Sequence, residues 1–270
     1  SAWRNDLRQE APFDVFHRDE GLSLVRADFI DGADVRMVQL GCVLGFAPQS
    51  GLRIAIAVGR QLQRDVAAEL GIHLVAGTYE RGTTPDVVHN ASVLVDPAGE
   101  LLGVYRKTHP FCTEAVSGGG WVTPGDTVTV CDTELGRIGM IICFDGDYPE
   151  LSRIQAVQGA EVICRPSALL RSADIWELTN RARAYANHIY VICSNATGVD
   201  PGGVIYFGNS MIVTPTAEVV AWGSTHESWV SARLDPSVAL ASLTPGSSVR
   251  QAFDHLAERK DRCNADHVTV

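Results

Sequence analysis

The sequence predicts a layered α/β fold, two sheets covered by helices, and three features of it carry that prediction. Short β-branched runs recur along the chain. Longer segments with apolar residues at helical spacing lie between several of them. Other neighbouring runs are joined by turn chemistry, which makes hairpins in place of helical crossovers.

The predicted strands, in order, are Val35–Leu40, Ile72–Ala76, Ser92–Val95, Leu101–Tyr105, Arg137–Ile142, Val162–Cys164, Ile189–Ser194, Ser210–Val213, Glu218–Trp222 and Trp229–Leu234. The predicted helices are Ile54–Leu70, stopped by Gly71, Tyr148–Gln158, stopped by Gly159, and Ile175–Asn187. Asp96-Pro97-Ala98-Gly99-Glu100 and Thr214-Pro215-Thr216-Ala217-Glu218 are hairpin turns between strand pairs. Gly125-Asp126 and Leu135-Gly136 punctuate the approach to the strand that ends near Cys143. No repeat and no low-complexity linker divides the chain, so residues 1–270 are expected to form a single domain. After about residue 240 the pattern weakens into a polar tail, an interface arm or a loosely held end.

Composition narrows the function. The chain has 270 residues, 46% hydrophobic and 20% charged, as a soluble globular protein does. No apolar run is long enough to span a bilayer and no signal segment opens the chain, so a cytoplasmic location is expected. A net charge of −10 argues against nucleic acid, since phosphate binding needs clustered Lys and Arg. The seven cysteines (Cys42, Cys112, Cys131, Cys143, Cys164, Cys193 and Cys263) are odd in number and contain no Cys-x-x-Cys pair. That excludes a disulfide framework and a zinc knuckle and leaves reduced thiols. His255, Cys263 and His267 read as parts of a solvated tail, not a metal cluster.

The most informative stretch runs from Arg137 to Glu150. An apolar strand enters Cys143, a polar turn Asp145-Gly146-Asp147 follows, and Pro149 stands where a helix can begin. A thiol at a strand-to-helix turn lies near the positive end of a helix dipole, which favours the thiolate. The competing reading is an inert cysteine finishing a buried strand; two carboxylates directly after it speak against that.

This segment resembles the cysteine motif of the nitrilase superfamily, in particular its amidase-like branch. True nitrilases follow the cysteine with Trp-Glu-Asn, where this chain has Phe144-Asp145-Gly146. Gly103-Val104-Tyr105-Arg106-Lys107-Thr108-His109 is similar to the family's catalytic-lysine strand, and the interval from Lys107 to Cys143 suits the family. Glu114, with Thr123-Pro124-Gly125-Asp126 after it, resembles the segment bearing a second, supportive glutamate. Matches continue through Arg153, Gly159-Ala160-Glu161, Pro166-Ser167-Ala168, Trp176, Arg181–Asn187, Ser194–Gly198 and Phe207–Ser210. The resemblance covers roughly residues 55–235, and the first 50 residues are the least family-like.

The resemblance implies a four-layer αββα sandwich, a homodimer or higher homo-oligomer, a small-molecule substrate, and no cofactor or metal. It implies hydrolysis of the C–N bond of a small amide or carbamoyl compound through a Cys143 thioester. Lys107 would stabilise thiolate and oxyanion, and the backbone N–H of Phe144 would be a second oxyanion donor. A carboxylate would move the proton. Here the chain departs from the family. In one register, Gly32-Ala33-Asp34 opens the strand that carries the general base, and Leu40 stands where glutamate is expected; Asp19–Ile30 would then be the preceding helix. A rival register makes Val35–Gly41 the family's opening strand and omits the glutamate-bearing segment. Glu114 is the leading substitute for the base, followed by Glu80, and His109 is read as structural. Asp145 and Asp147 are turn-formers or substrate-facing groups; with Trp121 and Ser167 they are the substrate-pocket candidates. The loops 117–121, 168–175 and 200–206 should set specificity, and Gly118–Gly120 should be a flexible bend. Two further readings stay open: a catalytically impaired homologue that binds a ligand or partner, and an acyltransferase.

Overall fold

Strands apolar at nearly every position must be covered on both faces, and that requirement sets the layering. A computed structural model describes residues 24–27, 34–39, 63–84, 86–199, 203–234 and 256, the first two stretches by backbone alone. Its first sheet has six strands: β1 (Leu24–Ala27), β2 (Asp34–Gln39), β3 (His73–Arg81), β4 (Val88–Val95), β5 (Leu101–Arg106) and the late β14 (Ser228–Arg233). They are ordered β14-β2-β1-β3-β4-β5, each pair antiparallel. The second sheet has β6 (Val130–Thr133), β7 (Gly136–Met140), β8 (Val162–Ser167), β9 (Tyr190–Asn195), β12 (Met211–Val213) and β13 (Val219–Trp222). Its order is β13-β12-β9-β8-β7-β6, with β7, β8 and β9 parallel and the outer strands antiparallel. Between β9 and β12, β10 (Thr197–Val199) and β11 (Ile205–Phe207) form a separate ribbon.

Parallel neighbours need crossovers, and two helices supply them. Helix α2 (Pro149–Val157) joins β7 to β8, and α3 (Ala173–Asn187) joins β8 to β9. Pro149 sits at the first turn of α2, where its missing N–H costs no bond. Ser172 caps α3 by accepting the Ile175 N–H, and His188 closes it in the left-handed region at φ 53°. Helix α1 includes residues 63–70 and ends at Gly71, φ 63°.

Three apolar clusters show the layers. Ala67 of α1 packs on Leu74, Ala76, Val93 and Val95, the outer face of the first sheet. Val75, Leu94 and Tyr105 point the other way and meet Ile138, Met140, Cys164, Ile192 and Ile212 of the second sheet. The far face of that sheet, with Ile141, Ile163, Val191 and Met211, is covered by Leu151, Ala156, Trp176 and Ala184 from α2 and α3. The sequence folds into helix, sheet, sheet, helix: the αββα sandwich. Each fully buried Ile or Leu in these layers contributes about 1.5–3 kcal/mol, and both the sheet-to-sheet seam and the helix-covered face carry such residues.

One expected element is corrected. Asp19–Ile30 was expected to be helical, but Leu24–Ala27 is a strand paired with both β2 and β3. Asp31-Gly32, just before β2, is hairpin chemistry, and a four-residue strand with Arg26 inside it is too short to display its own periodicity. Leu40, Cys42, Cys263, His255 and His267 lie outside the described residues. So does nearly all of the tail, of which Leu256 packs against the helix-facing cluster. No helix among the described residues is long and apolar enough to cross a membrane.

Candidate active site

The β7 strand delivers its chain through Ile141 and Ile142 to Cys143, which takes a left-handed backbone at φ 48°. For a residue with a Cβ this conformation costs about 1–2 kcal/mol, and neighbouring groups must hold it. On one side, Asp145 Oδ2 accepts the Ile142 N–H at 2.9 Å and the Tyr105 hydroxyl at 2.8 Å. On the other, Arg165 donates to the Cys143 carbonyl twice, from Nε at 2.8 Å and Nη2 at 2.6 Å. The thiol is half-buried, and Cys143 opens a short 3-10 turn, Cys143–Asp147. As expected, polar turn residues follow Cys143 and Pro149 opens the helix beyond them, α2.

Lys107 directly follows β5. Its N–H donates to the Asn90 carbonyl at 2.8 Å, and its own carbonyl accepts from Gly125 at 2.8 Å. The side chain is almost wholly buried, which an ammonium tolerates only when paired. Glu114 is that partner: Nζ donates to Oε2 at 2.5 Å. Glu114 is itself held by the Phe111 N–H on Oε2 at 3.1 Å and by Asn90 Nδ2 on Oε1 at 2.6 Å. Three donors on one carboxylate make Glu114 first of all the group that positions Lys107.

The loop carrying Glu114 is close-packed. A Cβ on Gly118 would stand 1.8 Å from the Cys112 carbonyl oxygen, and one on Gly120 would stand 2.1 Å from that of Glu114. The glycine run expected to be a flexible bend is therefore a tight turn, closed by Gly119 at φ 88°.

Asp145 joins the two halves. Besides Tyr105 it accepts the His109 N–H at 3.0 Å, so the segment on either side of Lys107 is bolted to the turn that begins at Cys143. His109 stacks on Tyr148 at 3.8 Å, and Phe111 meets the Phe144 edge at 5.3 Å. Burial, and then the nearby Asp145 charge, push the Tyr105 phenol well above its ordinary pKa, which keeps it a donor.

The remaining candidates fall elsewhere. Asp145, expected to face substrate, has no exposed surface and is the turn-former of the two readings left open. Asp147 is ion-paired to Arg171, with Arg165 4.0 Å from its other oxygen, so it too serves the turn. Ser167 is buried and donates to the Arg165 carbonyl at 3.2 Å, directed at its own strand and not at a pocket. Trp121 lies against Tyr79 at 4.7 Å, and its backbone N–H donates to the Glu114 carbonyl at 3.0 Å. Glu80 forks onto Arg106 at 2.6 and 3.1 Å, which removes it from the Lys107 cluster. Among the described residues no group of three His, Cys, Asp or Glu could hold a metal.

Asn90, Tyr105 and Arg165 escaped the sequence reading as site residues. Only Arg165 left a signal, a cation inside the otherwise apolar Val162–Ser167 run. It is fully buried; burial lowers its pKa, the surrounding Cys193, Cys143, Asp147 and Asp145 pull it back, and an arginine stays a cation throughout. Among the described residues, three other thiols lie in the core. Burial raises Cys131, pushes Cys164 up to about 12 and raises Cys193 further, so these sulfurs are inert filler.

Comparison with known proteins agrees with this geometry. Residues 53–241 match the family model described as carbon-nitrogen hydrolase. A hydrolase of Schizosaccharomyces pombe is 35% identical over 56% of this chain and 49% of its own length. The omega-amidase of Saccharomyces cerevisiae is 33% identical over 74% and 69%, and the human omega-amidase 31% over 63% and 64%. The chain thus spans between about half and two thirds of the length of these relatives. Among solved structures, a carbon-nitrogen hydrolase from Helicobacter pylori G27 superposes with TM-score 0.65 at 29% identity, covering 73% of both chains. An amidase from Nesterenkonia sp. AN1, carrying the acetamide moiety of fluoroacetamide on its active-site cysteine, shares the fold with TM-score 0.69 at 21% identity, over 85% of this chain and 82% of its own. With its αββα layers, its cysteine at a strand-ending turn and its match across residues 53–241, the chain belongs to the carbon-nitrogen hydrolase family of the nitrilase superfamily.

Proposed function

We propose that the protein hydrolyses the C–N bond of a small amide through a thioester on Cys143. The observation that carries this reading is the left-handed Cys143 turn, bolted through Asp145 to the segment bearing the buried Lys107–Glu114 pair. The thiolate sulfur attacks the amide carbon, and the C=O pair moves onto oxygen. That oxyanion meets the Phe144 N–H and the Lys107 ammonium. Its collapse re-forms C=O and breaks the C–N bond, and the nitrogen leaves as ammonia or amine with the proton first borne by the thiol. Water then attacks the thioester, releasing the carboxylic acid and returning the thiolate. Relatives named omega-amidase support an amide as the substrate class.

Glu114 is assigned the proton transfer as well as the holding of Lys107, because in one register Leu40, which has no ionisable group, takes the place of the family's glutamate, and in the other that segment is missing. The exposed apolar residues Ile154 and Val157 of α2 and Leu178 of α3 support self-association of this chain, readable by sedimentation.

The test is a panel of small amides with ammonia release and intact-mass detection of an acyl adduct on Cys143. Turnover and an adduct are expected, and Glu114→Gln should lower turnover about 10²–10⁴-fold. Folded protein giving neither signal across the panel refutes the hydrolase and favours the ligand-binding reading that Leu40 suggests. In the first register, Leu40→Glu raises turnover; no gain selects the rival register.

A further inference from the structure

Resting on the hydrolase reading, we propose that Arg165 is a positioning residue for acyl transfer: it aims and strengthens the Phe144 N–H that receives the oxyanion. The carbonyl of Cys143 and the N–H of Phe144 belong to one peptide group, so whatever holds the first fixes the plane and direction of the second. Arg165 places two N–H donors on that single carbonyl oxygen, at 2.8 and 2.6 Å. Donation to a carbonyl draws electron density from the peptide nitrogen and makes its N–H a better donor, a polarisation passed along hydrogen-bond chains. A cation in a site screened from water does this most effectively.

The surroundings are built for that one task. Arg165 has no exposed surface. Its third nitrogen, Nη1, is spent on Asn180 Oδ1 at 2.5 Å and Thr179 Oγ1 at 3.1 Å, and its plane lies over Trp176 at 4.8 Å. Gly146 yields the space: a Cβ there would stand 2.0 Å from the guanidinium carbon. A strand that needed only packing at this position would carry an aliphatic residue, as Ile163 does on the same face. On the opposite side of the turn Asp145 holds the Ile142 N–H, so the chain before and after Cys143 is held by charged groups.

The experiment compares two reactions of Cys143 that differ in their need for an oxyanion site. p-Nitrophenyl acetate acylates the thiolate through a tetrahedral oxyanion, with p-nitrophenolate leaving. Iodoacetamide alkylates it by direct displacement, a carbon–sulfur bond forming as iodide departs, with no oxyanion. Both are followed at the Cys143 peptide by mass spectrometry in wild type, Arg165→Met and Arg165→Lys. The Met variant is expected to lose about 10–100-fold in maximal acylation rate, somewhat less than removal of a direct oxyanion donor. Its alkylation rate and half-saturating ester concentration should stay within about twofold of wild type, and Lys, which keeps the charge but offers one donor geometry, should recover part of the loss. If the Met variant does not fold, the Lys variant decides by the same ratio. A ratio of acylation to alkylation unchanged from wild type overturns the proposal, as does a parallel fall of both rates, which marks a merely structural arginine. Wild type that is alkylated but never acylated sinks the hydrolase reading itself, and this inference with it.

Discussion

Cys143 and Lys107, the proposed nucleophile and its proposed cation, are placed by opposite means. Cys143 is positioned through its main chain: the flanking Ile142 N–H and its own carbonyl are gripped by Asp145 and Arg165, and a strained φ is the result. Lys107 is positioned through its side chain, whose ammonium is held by Glu114, itself held by Asn90 and Phe111. The difference teaches where fold and chemistry can be separated. Around Lys107 the polar contacts are local to a loop and a strand edge. Around Cys143 the same bonds close the core, so a change there alters stability and reactivity together.

That contrast can be broken in order of size. Cys143→Ala should abolish acyl-adduct formation and lower turnover on the order of 10⁶-fold, with the melting temperature nearly kept, since the strain resides in the backbone and not in the sulfur. Asp145→Asn should act on both quantities. Its single NH2 must replace one of the two oxygens, facing either the His109 N–H or the Ile142 N–H and Tyr105 hydroxyl, and a loss of about 3 kcal/mol is expected in denaturant unfolding. Asn90→Ala should sharpen the comparison from the other side, costing only about 1 kcal/mol of stability while turnover falls further than that figure implies. A small change in turnover there would show that Glu114 needs no second support.

The smallest effect is a pH dependence remote from the site. His73 is buried at the start of β3, and burial lowers its pKa, with Glu134 at 3.4 Å and Asp96 opposing. A histidine held neutral stabilises the fold above its unfolded pKa, near 6.5, and that contribution is lost as pH falls through the lower folded value. Melting temperature should therefore drop from neutral pH toward pH 5, and His73→Gln should flatten this drop without altering acylation of Cys143.

Much of this architecture could be read from residue order, for physical reasons that vary by element. Runs such as Ile189–Ser194 declare themselves because the five positions before the final serine are apolar or aromatic, and β9 is buried along its whole length. Cys143 was legible because an apolar strand ends there in polar turn residues, and Lys107 and Glu114 because their segments match a family pattern. The role of Asp145 was not. Its hydroxyl partner comes from Tyr105, 40 residues upstream, and no local pattern encodes a bond between two sheets. Arg165 showed only as a cation in an apolar run; its target, 22 residues back on a neighbouring strand end, was not legible for the same reason. The helix expected at Asp19–Ile30 failed because β1 is defined by pairing with β2 and β3, not by its own four residues.

The crowded glycines before Trp121 set a rule for anyone wishing to change what this protein accepts. With the Cys112 carbonyl 1.8 Å from a side chain at 118 and the Glu114 carbonyl 2.1 Å from one at 120, any replacement there displaces the backbone that aims Glu114. Substitution libraries at those two sites would return dead variants whatever their intended selectivity. Gly119 has open space beside it but a backbone at φ 88°, so asparagine is the replacement it tolerates best. Diversity is better sought in the 168–175 loop at Leu170, which projects to solvent.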